Sequence, residues 1–109
     1  MSNSRYVINT SAATFEADVL EKSKAMPVVL DFWAEWCGPC RTMTPTLHAL
    51  ARDFKVCKVN VDKNQKLAGR YNISSIPALL IFKNGRVVAQ HLGVTPENVL
   101  RADLIKART

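Results

Sequence analysis

Val28-Val29-Leu30-Asp31-Phe32-Trp33-Ala34-Glu35-Trp36-Cys37-Gly38-Pro39-Cys40 is the stretch that decides the fold. Its first five positions are nearly all apolar, which predicts a central strand buried on both faces. From Cys37 to about Phe54 the composition is helical, and Met43, Leu47, Leu50 and Ala51 form one apolar stripe. Pro45 falls inside that helix and predicts a kink, because it removes a donor and crowds the preceding turn. Cys37 and Cys40 therefore stand at a strand-to-helix junction. Two thiols at that spacing can close a small disulfide ring and reopen it, as a reversible dithiol does and a structural staple does not.

Outward from this stretch the pattern alternates. Arg5 to Ile8 predicts a short edge strand, and Ser11 to Ser23 a helix with Phe15, Val19 and Leu20 inward and Thr10 or Ser11 as cap. Val56 to Val61 predicts a second central strand, and Asn64 to Tyr71 a short helix that Asn64 could cap. Leu79 to Phe82 and Val87 to Ala89 flank Lys83-Asn84-Gly85-Arg86. Asn-Gly between apolar runs signals a hairpin, since a type I′ turn needs positive φ at both centres. Thr95-Pro96-Glu97 opens a last helix with a cap, a proline and an acid at the positive dipole end, and Leu100, Leu104 and Ile105 form its inner stripe. The order β-α-β-α-β-α-β-β-α is that of an α/β sheet with an antiparallel hairpin at one end.

The 109 residues, 48% hydrophobic and 22% charged, suit one domain spanning 1–109 with its own core. No stretch approaches the roughly 18–20 apolar residues that span a bilayer, and the first ten residues hold no apolar signal region, so a cytoplasmic location without membrane attachment is expected. Three cysteines, two of them in one motif, argue against a secreted disulfide framework. Cys57, His48 and His91 lie at no finger-like spacing from the pair, so no metal is expected. The net charge is +6, and Arg52 to Arg86 holds eight Lys/Arg against Asp53 and Asp62. Three readings stand for that excess: a solvated basic face, a bias toward acidic partner proteins, and nucleic-acid binding, the last without any supporting motif.

The two thiols should differ in role. Cys37 is placed at the first helical position, where unpaired N–H groups and the dipole favour a thiolate over the ordinary thiol of pKa about 8.5. Trp36 and Gly38 beside it suggest a surface edge that a partner disulfide reaches. Cys40 lies one turn further in. Cys37 then attacks and forms a mixed disulfide, and Cys40 resolves it. Pro39 in the first turn costs no helical hydrogen bond. Asp31 has two readings: a strand-end residue facing solvent, or a buried acid of raised pKa that takes the Cys40 proton. Lys58 is either its counter-charge from the next strand or an outward lysine. Ile76-Pro77 precedes a strand in the ordinary way. Cys57 is expected as a small buried apolar residue, and His48 and His91 as surface residues without a role.

Phe32-Trp33-Ala34-Glu35-Trp36-Cys37-Gly38-Pro39-Cys40, Pro45, Ile76-Pro77, Lys83-Asn84-Gly85 and Gly93, in that order, resemble the bacterial thioredoxin family over roughly Val7 to Ala107. The resemblance implies an α/β thioredoxin fold, with a central five-stranded mixed sheet in order 1-3-2-4-5 flanked by four helices. It implies a protein-disulfide reductase in which Cys37 is the exposed nucleophile and Cys40 the resolving thiol. Asp31 matches the family's buried aspartate and Lys58 its lysine partner. Pro77 matches the cis-proline facing the dithiol, and the Ile76 backbone would pair with a target segment. Trp36, Gly38, Pro39, Ile76, Gly93 and Val94 would form the docking surface. The implied partners are disulfide-containing target proteins and an NADPH-dependent thioredoxin reductase. The implied state is a monomer, and the Cys37–Cys40 disulfide is the redox centre, so no cofactor is required.

Three features depart from the family's common pattern. The connection between Phe54 and Val56 is short, His48 and Arg52 stand where acids are frequent, and Ser74-Ser75 and Ala78 flank Ile76-Pro77. Two other functions share these residues: an oxidase or isomerase running the exchange in reverse, and a binding module that uses only the docking surface. Pro39 and the absence of a signal region argue against the first.

Overall fold

Val28–Trp33 is the middle strand of a five-stranded sheet and is buried on both faces as far as Phe32. The computed structural model describes residues 6–109. Along the chain, β1 spans Val7–Asn9, and helix α1 runs as a wide π-type segment, Glu16–Glu21, that tightens into a 3-10 turn, Lys22–Lys24. Strand β2 is Val28–Trp33. Helix α2 has two segments, Gly38–Thr42 and Thr44–Leu50. Then follow β3 (Lys55–Asn60), α3 (Gln65–Arg70), β4 (Ala78–Lys83), β5 (Arg86–Leu92) and α4 (Glu97–Arg108). Arg5, expected in the first strand, lies outside the described residues.

The sheet order is β1-β3-β2-β4-β5. β3 pairs parallel with β1 and β2, whereas β4 runs antiparallel to β2 and to β5. This is the 1-3-2-4-5 mixed sheet, and the four helices among the described residues cover its two faces. Alternation along β2 divides the core. Val28, Leu30 and Phe32 pack with Phe15, Val19, Leu67 and Ala68 on the side of α1 and α3. Val29 packs with Met43, Leu47, Leu50, Leu100 and Leu104 on the side of α2 and α4. Asp31, two residues after Val29, falls on that second side, and in β3 Lys58 shares the parity of Val56, which packs there too.

Several local expectations are met by recognisable chemistry. Asn84 and Gly85 both have positive φ, 55° and 79°, as the type I′ hairpin requires. α2 breaks at Met43, two residues before Pro45, where the Met43 N–H donates to the Cys40 carbonyl at 3.1 Å. The short connection after α2 closes as a turn, with the Phe54 N–H on the Leu50 carbonyl at 2.9 Å.

The caps are different from those expected. Thr14 Oγ1 accepts the Ser11 N–H at 3.1 Å and lies 3.1 Å from Thr10 Oγ1. The hydroxyls of Thr10, Ser11 and Thr14 thus serve one another, a turn precedes the helix, and α1 starts later than Ser11. Asn64 Oδ1 accepts the Ala12 N–H at 2.8 Å instead of capping α3. The Thr95 hydroxyl donates to the Gly93 carbonyl at 3.0 Å, and Pro96 occupies the cap position of α4. Ser23 lies within the 3-10 turn that closes α1, and its carbonyl and hydroxyl accept the N–H groups of Asn84 and Gly85 at 2.7 and 2.8 Å.

Candidate active site

The end of β2 delivers the chain directly to the two thiols. Ala34 is buried, and its carbonyl accepts the Cys37 N–H at 3.2 Å. Cys37 is extended, with φ −90° and ψ 104°, and is the N-cap of α2, one position before the helical start that the sequence predicts. Its Sγ accepts the Cys40 N–H at 3.2 Å. A side-chain sulfur thus takes a place that Ser, Asp or Asn usually fills, at the end of the helix where donors lack carbonyl partners. Cys37 and Cys40 form a disulfide with a Cα–Cα distance of 5.3 Å.

One expectation is corrected here. Cys37 is only 3% exposed and Cys40 5% exposed, so the two do not differ in access in the oxidised chain. Ala34 shares a buried cluster with the pair, and Trp33, Val61 and Ile76 pack against it. What is exposed is the rim. Trp36 is 70% exposed, and Gly38, Pro39 and Val94 are exposed as well. The Ile76–Pro77 bond is cis, Ile76 packs on the disulfide cluster, and the Pro77 carbonyl accepts the Gly93 N–H at 2.7 Å. Gly93 has φ +84°, a conformation that glycine adopts without strain. These residues lie on three segments, Trp36 to Pro39, Ile76-Pro77 and Gly93-Val94, and the middle one links the others: Ile76 packs on the disulfide cluster and Pro77 holds Gly93.

Sequence reasoning misses part of this rim. A cavity of about 270 Å³ lies between Trp36 and Ile76, lined also by Val61, Ile73, Ser74 and Ser75. Of these added residues the sequence marks only Ser74-Ser75, as a departure from the family's pattern. The Trp36 indole N–H donates to Asp62 Oδ2 at 2.8 Å, a link across 26 positions that no local motif announces. Arg41 donates to the Glu35 carbonyl at 2.9 Å and so braces the chain on both sides of the disulfide.

Beneath the helix, Asp31 and Lys58 are directly paired in the β2–β3 register. Asp31 is 1% exposed, which removes the reading of a solvent-facing strand end. Burial pushes its carboxyl up to about 7, against a smaller opposing pull from the Lys58 charge. Neither carboxylate oxygen has a hydrogen-bond partner among the described residues, and the same holds for Trp33 Nε1. The Lys58 ammonium lies over the Trp33 ring, 4.4 Å from its centre. A cavity of about 320 Å³, lined by Cys40, Trp33, Glu35, Arg41, Thr44 and Lys58, opens between Cys40 and that lysine. A space of this size with polar walls can hold water able to carry a proton.

The remaining sulfur and imidazoles sit elsewhere. Cys57 is fully buried in the α1 side of the core, and burial pushes its thiol up to about 12. His48 is exposed. His91, expected to have no role, pairs with Asp103 and ties β5 to α4. Among the described residues, no group of three or more His, Cys, Asp or Glu is arranged to hold a metal.

A redox-active sulfur pair at a helix N-terminus, a buried acid on the same side of the sheet and an apolar rim with a cis-proline define a thiol–disulfide oxidoreductase. The thioredoxin family model matches residues 6–106. The chain is 43% identical to the thioredoxin of Pseudomonas aeruginosa over 105 residues, covering 93% of this chain and 95% of that one. It is 46% identical to thioredoxin 1 of Synechococcus elongatus over 98 residues, covering 86% and 90%. Among solved structures, a mutant thioredoxin from Halobacterium salinarum NRC-1 superposes with a TM-score of 0.88 at 29% identity, over 100% of this chain and 96% of that one. The chain belongs to the thioredoxin family. It is a protein-disulfide reductase that works by dithiol–disulfide exchange, with disulfide-containing proteins as targets and a reductase as electron source. The Cys37–Cys40 disulfide is the redox centre, and members of the family need no cofactor.

Proposed function

We propose that this chain, as one thioredoxin domain, reduces protein disulfides with Cys37 as nucleophile, Cys40 as resolving thiol and Asp31 as the base for the second step. The observation that carries the reading is the Cys37 sulfur acting as N-cap acceptor for the Cys40 N–H. The same donors would favour a thiolate on Cys37 in the reduced chain. The thiolate bonds to one sulfur of the target, and the other target sulfur leaves as thiolate. Cys40 then gives its proton to Asp31, directly or through water in the adjoining cavity, and attacks Cys37 Sγ. The mixed disulfide breaks, the second target thiolate leaves, and the Cys37–Cys40 bond forms. The target gains two electrons and the dithiol loses two.

In this reading the target segment lies on Trp36, Gly38, Pro39, Ile76, Gly93 and Val94, and pairs with the Ile76 backbone beside Pro77. Lys58 holds the Asp31 carboxyl within reach of neutral pH. An NADPH-dependent thioredoxin reductase restores the dithiol. The chain acts as a cytoplasmic monomer without membrane or nucleic-acid partners. No helix among the described residues is long and apolar enough to cross a membrane. The decisive experiment compares two variants. Cys37→Ser abolishes turnover of a protein disulfide such as that of insulin, and Cys40→Ser accumulates a mixed disulfide on Cys37. Turnover by Cys37→Ser would overturn the assignment of the nucleophile.

A further inference from the structure

A continuous set of contacts runs from the redox helix to the loop after β5. Met43 stands where the two segments of α2 meet, three residues past Cys40, and is fully buried. Its N–H donates to the Cys40 carbonyl at 3.1 Å, and its Sδ accepts the backbone N–H of Thr95 at 3.3 Å. The Thr95 hydroxyl donates to the Gly93 carbonyl at 3.0 Å, and the Gly93 N–H donates to the Pro77 carbonyl at 2.7 Å. The loop Gly93-Val94-Thr95 is therefore held at one end by the cis-proline segment and at the other by a side chain of the helix that carries Cys40.

The chemistry of methionine matters at this point. Thr95 is 5% exposed, so its N–H has little access to water. A thioether is a weak acceptor, but leucine or isoleucine in the same space offers none. Either would leave a buried donor unpaired, and the loop would gain by moving toward solvent. The core around Met43 would barely register the exchange, because leucine and methionine have similar volumes. A residue chosen for packing alone would not need sulfur.

We propose that Met43 is a positioning residue for target docking: its thioether, through Thr95, fixes the Gly93-Val94 loop against the Ile76–Pro77 segment and so sets affinity for protein disulfides without entering the exchange chemistry. The inference rests on the reading of Gly93 and Val94 as docking residues. Met43 sits behind the surface and touches no target.

The test separates binding from chemistry. Met43→Leu removes the acceptor and keeps the volume. Steady-state reduction of insulin is compared with reduction of a small aromatic disulfide, 5,5′-dithiobis(2-nitrobenzoate). For insulin, KM rises roughly two- to tenfold, the range one hydrogen bond supplies, while kcat holds. The rate with the small disulfide and the redox potential stay at parental values. Thr95→Val cuts the same connection one bond further on, leaves Met43 packed, and raises KM in the same way, so it carries the test if Met43→Leu lowers stability. An unmoved KM in both variants overturns the proposal, as does a loss shared equally by insulin and the small disulfide. Val94→Asp serves as reference. If it too leaves KM unmoved, the docking reading falls and the proposal with it; if it alone raises KM, only the role of Met43 falls.

Discussion

Asp31 and Lys58 are register partners across β2 and β3, yet the lysine does not satisfy the acid. Both Asp31 oxygens lack a hydrogen-bond partner among the described residues, and the ammonium lies 4.4 Å above the Trp33 ring. The cation is near enough to lower the carboxyl's affinity for a proton, and burial raises it by more, so the balance falls at about 7. An acid held there can take a proton from a thiol and return it to water near neutral pH, which a well-paired carboxylate could not do.

This balance makes stability depend on pH. The Asp31 carboxyl titrates at about 7 in the folded chain against an ordinary value of 3.8. Between those values the folded chain keeps a proton that the unfolded chain has released. Stability therefore falls as pH rises from about 4 to about 7 and levels off above. The gap corresponds to a penalty of roughly 4 kcal/mol at pH 8. Asp31→Asn removes the titration, so the oxidised variant should be more stable than the parent at pH 8 by up to about that amount, and at pH 4.5 by only about 1 kcal/mol. Urea denaturation at both pH values checks this, and an identical difference at the two would contradict it.

The same residue should divide the two chemical steps. Asp31→Asn leaves the first attack by Cys37 nearly intact and slows release of the target by about 100-fold, the lower range for loss of a general base. Quenched-flow trapping reads this as accumulated mixed disulfide. Lys58→Met removes the charge that lowers the carboxyl, so the basic form of Asp31 becomes available only at higher pH. The rising limb of the release-rate profile should move upward in pH. A profile that stays in place would show that Lys58 serves Trp33 and not Asp31.

Backbone constraints that act within a turn are readable, whereas the partner a polar side chain chooses, near or distant, is not. Val28 to Phe32 announces a strand buried on both faces because no polar period interrupts it. Asn84-Gly85 and Pro45 act on the backbone within a turn of themselves, and both behave as expected. Thr95, Asn64 and Ser11 satisfy the local rule for a helix cap but have better partners. Asn64 meets the N–H of Ala12, 52 positions away. Asp31 is ambiguous until the register sets it opposite Lys58. The spacing of Cys37 and Cys40 marks the dithiol, but nothing local says that both cysteines are buried in a cluster with Ala34, against which Val61 and Ile76 pack.

The exposed rim should carry binding energy and little stability. Trp36 is 70% exposed, so Trp36→Ala should change unfolding free energy by no more than about 0.5 kcal/mol. An aromatic anchor of this kind is worth more at an interface, and KM for insulin should rise roughly tenfold. Asp62→Ala removes the acceptor that orients the indole at 2.8 Å and should produce part of that rise. Parallel thermal melts and steady-state kinetics separate the two effects. A large loss of stability in Trp36→Ala would make the ring a core element.

Ser23 should show the opposite profile. It is fully buried at the end of α1, and its hydroxyl accepts the Gly85 N–H at 2.8 Å and donates to the Leu20 carbonyl at 2.7 Å. It pins the β4–β5 turn, and because Val28 pairs with Phe82 while Phe32 pairs with Ala78, that turn lies at the end of β2 away from the disulfide. Ser23→Ala orphans the Gly85 N–H, at a cost of about 1–3 kcal/mol for a buried donor. The Asn84 N–H keeps its bond to the Ser23 carbonyl, so the turn should stay closed and the cost should stay within that range. Urea denaturation should record the loss as a lower midpoint at constant slope, while insulin reduction and redox potential match the parent. A midpoint equal to the parent's would mean that water replaces the hydroxyl and that the turn is held by the Ser23 carbonyl alone.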